Sequence, residues 1–483
     1  MNAADLAVLL PLLTTSATAI AVMIAIAIRR SHQAVLAISL LGVAMAVGSL
    51  FYAASAVPRQ VTALLVLDSY ALLYIAILLC ATAFVLVFGY DYLKGRREHQ
   101  EEFYLLVLLA TAGAMVLVIS RHFASFFLGL ELLSVALYAL IAYTRTESAS
   151  IEAGMKYLIL AASSSSVLLF GLALIYAETG SMDLSLFAAV MTSPSGRGNA
   201  IPLLAGLMLV ITGVGFKLAV VPFHLWAPDV YQGAPLPVTA FIATVSKGGM
   251  FALLLRWFQV QDAAIGTAPG VVLSVIAIAS MIAGNLLALR QPNLKRLLAY
   301  SSIAHMGYLL VAFLAGGTLG APAATYYLVA YFVTILGAFG LMTVLSDSRG
   351  ETALIEDYRG LFWRRPLIAG ALTTMLLSLA GIPLTAGFLG KFYVIAAGAS
   401  RAKWVLLLTL VVSSTIGMFY YLRVLVAMYS GSDDSRRERD LDAPNLPLPS
   451  TLAVAALTGL VFVLGVYPAP LWDAIKAVTR DLG

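Results

Sequence analysis

The chain has 483 residues, 61% of them hydrophobic and 11% charged, with a mean hydropathy of +0.96. A soluble domain is about 45–50% apolar and about 25% charged, so the composition excludes a soluble fold and implies an all-α polytopic membrane protein. The net charge of +5 reads as membrane-topology charge and not as a nucleic-acid footprint, and the sole cysteine, Cys80, excludes an intrachain disulfide and suggests neither a metal nor a redox site.

A spanning helix needs about 20 apolar residues. In chain order hydropathy marks about fourteen such runs, at 6–28, 34–55, 69–91, 103–120, 123–143, 156–177, 200–221, 236–256, 270–289, 297–315, 321–345, 366–398, 403–429 and 451–470. The first is long enough to span and lacks a small-residue cleavage pattern, so it reads as a retained helix. Polar connections near 178–199, 346–365 and 430–450 read as loops or short surface helices. Four regions are expected: 1–102 with three spans, 103–256 with spans four to eight, 270–429 with spans nine to thirteen, and 430–483 with a cytoplasmic loop and the last span.

Loop charge sets the orientation. One set of alternate loops holds Arg29, Arg30, Lys94, Arg96, Arg97, Arg145, Arg290, Lys295, Arg296, Arg349, Arg359, Arg364, Arg365, Arg436, Arg437 and Arg439, which is 16 basic residues. The opposite side holds 8: Arg59, Arg121, Arg197, Arg256, Arg401, Lys403, Lys476 and Arg480. The positive-inside rule places the first set in the cytoplasm and both termini outside. Lys156 and Arg423 are expected to snorkel from their spans to the interface.

Five ionisable residues then stand out at membrane depth: Glu131, Lys217, Lys247, His305 and Lys391. A charge at the centre of a membrane helix costs about 2.5–3.5 kcal/mol, and intramembrane ionisables are functional by default. Two spans carry helix breakers beside a lysine. Gly213 and Gly215 precede Lys217 and Pro222 follows it, while Gly381, Pro383 and Gly387 precede Lys391. Irregular backbone at this depth survives only inside protein or along a wet cavity, and paired interrupted segments point to an ion pathway in an inverted-repeat transporter. Glu131 to Lys217 is 86 residues (217 − 131), and so is His305 to Lys391 (391 − 305). That spacing predicts two five-helix repeats, inverted because each holds an odd number of crossings and each carrying a broken helix.

Polar faces line up with these positions. Glu131, Ser134 and Tyr138 share one helix face, as do Ser301, Ser302, His305 and Tyr308. The run Ser163–Ser166 reads as close helix packing. Asp229 is expected to brace the first break, and Asp68 to cap its helix. No P-loop, dinucleotide fingerprint or CxxC is present, and the five histidines lack metal-ligand spacing. No cofactor or metal site is expected in this chain.

The stretches "FHLWAPDVYQGAPLPVTAFIATVSK", "LKRLLAYSSIAHMGYLL" and "SLAGIPLTAGFLGKFY" resemble the antiporter-like proton-translocating subunits of respiratory complex I, the NADH–quinone oxidoreductase. The likeness covers roughly residues 60–425. It is to the member with a lysine at the second break, where subunit M has a glutamate, and without the lateral helix of subunit L. The resemblance implies a relay in which Glu131 and Lys217 are a coupled pair, Lys247 connects, His305 lies on the polar axis, and Lys391 stands at the second break. It implies that NADH, FMN, iron–sulfur clusters and quinone belong to other subunits. The partners it implies are the neighbouring membrane-arm subunits M, K and J, the lipid bilayer and protons, in a bacterial inner membrane. An Mrp-type cation/proton antiporter subunit and a purely structural membrane-arm subunit are the alternatives.

Overall fold

The structure is a computed structural model, and it describes residues 3–94, 96, 99–185, 200–257, 268–346, 350–431 and 446–480. Most of the expected 430–450 connection lies outside the described residues, as do Arg97, Arg197, Arg349, Arg436, Arg437 and Arg439.

In chain order come α1 (Ala3–Ile28), α2 (His32–Ala53), a hairpin of β1 (Arg59–Val61) and β2 (Leu65–Leu67), α3 (Ser69–Leu93), α4 (Glu102–Ile119), α5 (Phe123–Ile141) and α6 (Ser148–Thr179). Next are α7 (Ala200–Leu218), the short α8 (Trp226–Gly233), α9 (Leu236–Trp257), α10 (Ala268–Ala288), α11 (Leu294–Ala315) and α12 (Gly317–Leu345). The chain ends with α13 (Leu361–Arg364), α14 (Pro366–Ala380), α15 (Ala386–Ser400), α16 (Trp404–Tyr429), α17 (Leu448–Val466) and α18 (Ala469–Thr479). The hairpin is antiparallel, with Gln60 opposite Val66.

Thirteen helices of the described residues are long and apolar enough to cross a membrane. The fourteenth expected span, 366–398, is α14 and α15, two helices of 15 residues each separated by a turn at 381–385. The caps are local in origin. Asp68 accepts from the Ala71 amide at 2.8 Å at the start of α3, and Asn293 accepts from the Arg296 amide at 3.1 Å at the start of α11. Gly381, at φ +85°, ends α14 in the left-handed conformation that favours glycine.

The packing repeats. Helix α4 lies on α5 and α10 lies on α11; α6 lies on both α7 and α8, and α12 lies on both α14 and α15. Thus α4, α5, α6, α7/α8 and α9 are followed by α10, α11, α12, α14/α15 and α16 in the same order. The two units meet where α8 packs on α11 and α9 on α12, with α3 against both α9 and α12. Helices α9, α11 and α12 are buried over nearly their whole length, whereas α1, α2, α6 and α17 keep most of their surface outside. An apolar side chain on those outer helices gains nothing by facing inward, because lipid is as apolar as a core.

Four sequence expectations change. Helix α7 runs through Gly213 and Gly215 to Leu218, so the first break is at 219–225, after Lys217. Gly213 instead lets α7 approach α6, since a Cβ there would lie 2.5 Å from the Leu168 Cβ. The helix of the span expected at 156–177 begins at Ser148, so Lys156 is two turns inside α6 and not at its start, tied to Glu152 at 2.7 Å and Asp229 at 2.9 Å. Lys295 lies in the first turn of α11, buried against Glu351 at 2.6 Å, and is not a solvated loop charge. Beyond the last span lies α18, an amphipathic helix that hydropathy alone passes over.

Candidate functional site

Each half-helix ends in polar backbone at membrane depth. The last turn of an α-helix leaves carbonyls without intrahelical donors, and they carry the negative end of the helix dipole. Lys217 lies in the last turn of α7. Lys391, on α15, reaches back across the second break and donates to Leu379 O at 2.9 Å and Ala380 O at 2.8 Å, the closing carbonyls of α14. Gly381 makes this possible, because a Cβ there would sit 2.8 Å from the Lys391 Cδ. The two lysines therefore stand on opposite sides of their breaks in sequence, and the shared 86-residue spacing does not superpose the breaks themselves.

The three intramembrane lysines have one kind of environment in common. Each donates to a serine hydroxyl and faces a tyrosine ring. Lys217 Nζ donates to Ser134 Oγ at 2.7 Å and Tyr157 OH at 3.3 Å, with its ammonium 5.3 Å from the Tyr157 ring centre. Lys247 Nζ donates to Ser302 Oγ at 2.6 Å and lies 5.7 Å from the Tyr231 ring centre. Lys391 Nζ donates to Ser414 Oγ at 2.7 Å, besides its two carbonyls, and lies 5.4 Å from the Tyr308 ring centre. All three side chains are buried. A charge-assisted hydrogen bond contributes about 1.5–3 kcal/mol, and a desolvated cation–π contact about 2 kcal/mol. These are of the size of the insertion cost.

The basic residues nearer the membrane edges are held differently. Arg256 makes a two-pronged pair with Asp68 at 2.6 and 2.9 Å. Lys295 pairs with Glu351 and Arg296 with Asp229, at 2.6 and 2.7 Å. Asp229 thus braces α8 against α6 and α11, as its place beside the break suggested. Arg423 caps Leu289 O at 2.6 Å and Gln291 O at 2.5 Å. Carboxylates fix Arg256, Lys295 and Arg296 and carbonyls hold Arg423, whereas hydroxyls and π faces hold the three central lysines, with two carbonyls added at Lys391.

Glu131 is partly buried on α5, and its Oε1 is enclosed without a hydrogen-bond partner. No salt bridge joins it to Lys217 among the described residues. Ser134, one turn along α5 from Glu131, supplies the hydrogen bond to the ammonium. Tyr138 completes that face, its ring edge-on to Tyr157 at 5.7 Å.

From Lys247 the polar contacts run along α11. Ser302 also accepts from Tyr331 OH at 2.7 Å and pairs with Tyr231 OH at 3.3 Å. His305 Nδ1 meets Tyr327 OH at 2.7 Å, its Nε2 meets Tyr421 OH at 3.3 Å, and Tyr421 OH in turn meets Ser301 Oγ. The His305 ring lies 5.3 Å from Tyr331 and 5.4 Å from Tyr308, the residue whose face meets Lys391. Asn285 donates to Tyr308 OH at 2.9 Å and so fixes that ring. Hydroxyls and imidazole both donate and accept, so this contiguous set from Lys247 to Lys391 has the chemistry of proton exchange. Lysine belongs in such a set because it gives up its proton where arginine, with a pKa above ~12, does not.

Lys217 is held at the α5 face that carries Glu131, and Lys247, His305 and Lys391 stand on one buried set of contacts. The face of Ser301, Ser302, His305 and Tyr308 converges on it. Thr244, one turn before Lys247 on α9, stays outside this set, its hydroxyl donating to Ala240 O at 2.7 Å. The sequence reading missed Tyr157, Tyr231, Tyr327, Tyr331 and Ser414. The one available signal was Tyr327 and Tyr331, four residues apart and so on one face of α12. Ser163 and Ser166 bond carbonyls of their own helix, at 2.9 and 3.0 Å.

Residues 120–417 match the family described as NADH:quinone oxidoreductase/Mrp antiporter, transmembrane. The chain is 48% identical to the NADH-quinone oxidoreductase subunit N of Ectopseudomonas mendocina, covering 98% of this chain and 96% of that protein. Among solved structures it is similar to a chain of respiratory complex I from Thermus thermophilus with bound aureothin, at 32% identity and a TM-score of 0.81, covering 97% of this chain and 100% of that one. A chain of the Mrp complex from Dietzia sp. has the same fold, with a TM-score of 0.85 at 20% identity, covering 100% and 98%.

Proposed function

The chain belongs to the NADH:quinone oxidoreductase/Mrp antiporter transmembrane family, and on that footing we propose how its buried axis works. It is a proton-translocating membrane-arm subunit of an NADH–quinone oxidoreductase, corresponding over nearly its whole length to the subunit N relative. In our reading Glu131, Lys217, Lys247, His305 and Lys391 carry protons in turn. Burial and a movable counter-charge decide whether a lysine keeps or releases its proton. Approach of Glu131 holds the proton on Lys217, and its withdrawal frees that proton for Lys247. Ser302, Tyr331, His305 and the tyrosines around it continue the path to Lys391. NADH, FMN, iron–sulfur clusters and quinone are handled by other subunits, whose conformational or electrostatic input drives the step. The neighbours are the membrane-arm subunits M, K and J in a bacterial inner membrane, with both termini periplasmic. The halves 103–256 and 270–429 are the two inverted units, preceded by 1–102 and followed by 430–483.

The observation that carries this reading is the absence of a carboxylate bonded to any of the three central lysines among the described residues, where Lys156, Arg256, Lys295 and Arg296 each have one. A structural charge buried in a bilayer is best fixed by an ion pair. A carrier must not be, since a tight pair holds its proton. The test is proton uptake per NADH oxidised in inverted vesicles carrying Lys217→Ala or Lys247→Ala in the assembled complex. A large fall in that ratio is expected, and a wild-type ratio in both variants overturns the relay. Sodium or potassium flux through liposomes containing this chain alone would instead favour the Mrp-type reading.

A further inference from the structure

The C-terminal corner of the chain closes on the second break from two directions. Gly465, at the end of α17, abuts the backbone of the turn itself: a Cβ there would lie 2.3 Å from Leu384 O and 2.5 Å from the Thr385 carbonyl carbon. Both are main-chain atoms, so no change of rotamer relieves the overlap. Leu384 is held at φ +73°, a conformation uncommon outside glycine. Gly459, six residues earlier on α17, has nothing within 4 Å, so close approach is special to Gly465.

The second contact is aromatic. After Gly465 the chain turns at Pro468 into α18, and Trp472 stacks on Tyr393 with ring centres 3.9 Å apart and planes 12° apart. Tyr393 is two residues beyond Lys391 on α15. Tyr326 ties the two contacts together. Its ring meets Tyr393 edge-on at 4.9 Å, and its hydroxyl donates to Leu464 O, next to Gly465, at 2.6 Å. The following residue on α12, Tyr327, bonds His305 and packs where a Gly390 Cβ would come within 2.9 Å of it. The corner therefore touches the turn, the helix bearing Lys391, and the helix that orients His305.

We propose that the α17–α18 corner is a clamp, with Gly465 and Trp472 as positioning residues that set the shape of the 381–385 turn and so the grip of Lys391 on Leu379 O and Ala380 O. The consequence for pumping rests on the relay proposed above; the clamp itself does not.

Two readouts separate them. Cys80 is the sole cysteine, so Leu384→Cys in a Cys80→Ser background gives one probe at an exposed turn residue. In the assembled complex, Gly465→Ala and Trp472→Ala should each raise the rate of alkylation at position 384 several-fold. Gly459→Ala should leave it unchanged, and Trp472→Tyr, which keeps a stacking ring, should restore it. The same two variants should lower proton uptake per NADH and shift its pH profile, with Trp472→Tyr again restoring both. If Gly465→Ala fails to assemble, the Trp472 series decides. Alkylation and pumping equal to those of Gly459→Ala in both variants, while Lys391→Ala is uncoupled, overturn the clamp and leave the relay intact. Wild-type pumping in Lys391→Ala overturns the relay and the clamp's part in it, whereas faster alkylation still establishes the mechanical contact.

Discussion

Replacing Lys391 by arginine separates a charge that pins a helix end from a charge that must leave. The cage around Lys391 Nζ offers three acceptors: Leu379 O, Ala380 O and Ser414 Oγ, at 2.9, 2.8 and 2.7 Å. A guanidinium has five N–H donors, enough for all three, so an arginine keeps the positive end against the C-terminus of α14. Each such bond contributes about 1.5–3 kcal/mol. Lys391→Met removes them and leaves two helix-end carbonyls unpaired, at about 1–3 kcal/mol each. The arginine variant should therefore assemble with near wild-type thermal stability, and the methionine variant with less. Pumping should not follow that order. Releasing a proton at pH 7 from a group with a pKa above ~12 spans about five units. At ~1.36 kcal/mol per unit that is about 7 kcal/mol, or a step roughly 10⁵-fold slower than release from a group whose pKa matches that pH. Both variants should then show strongly reduced proton uptake per NADH oxidised in inverted vesicles. The assay needs equal amounts of assembled complex, judged by co-purification of the redox subunits. A wild-type ratio in Lys391→Arg would show that only the charge matters and refute the reasoning.

Two further outcomes are expected. Glu131→Gln should impair pumping severalfold more than Glu147→Gln, because the Glu131 Oε1 is enclosed and unbonded while Glu147 pairs with Arg96 at 3.0 Å at the rim; equal ratios at equal assembly would remove Glu131 from the path. For topology, single cysteines replacing Arg29 or Arg290 in a Cys80→Ser background should be shielded from an impermeant thiol reagent in intact spheroplasts, and one replacing Ala402 should react; labelling at position 290 from outside would reverse the orientation.

The number and order of the spans were legible because a bilayer demands about 20 apolar residues per crossing, and little in the tertiary structure can override that demand. Three buried lysines and two interrupted helices were legible for the same reason: charge and breakers are costly at that depth, so they stand out. The hydroxyl-bearing faces of α5 and α11 followed from helical periodicity. What sequence could not supply is which groups meet. Gly213 and Gly215 look like breakers, yet α7 continues through them, because a glycine in a helix serves close packing as readily as a kink. Lys295 reads as a loop charge until Glu351, 56 residues away, closes on it. Lys217 reads as the partner of Glu131, and nothing in the sequence announces the hydrogen bonds that Ser134 and Tyr157 give it. The tyrosine faces opposite the lysines come from other helices; Tyr308 was legible on the polar face of α11, but nothing local marks Tyr157 or Tyr231 as a ring that meets a lysine. The ionisable residues were thus fixed by composition and depth, which are one-dimensional. Their partners were decided by helix packing, which brings together residues that sequence separation leaves unrelated.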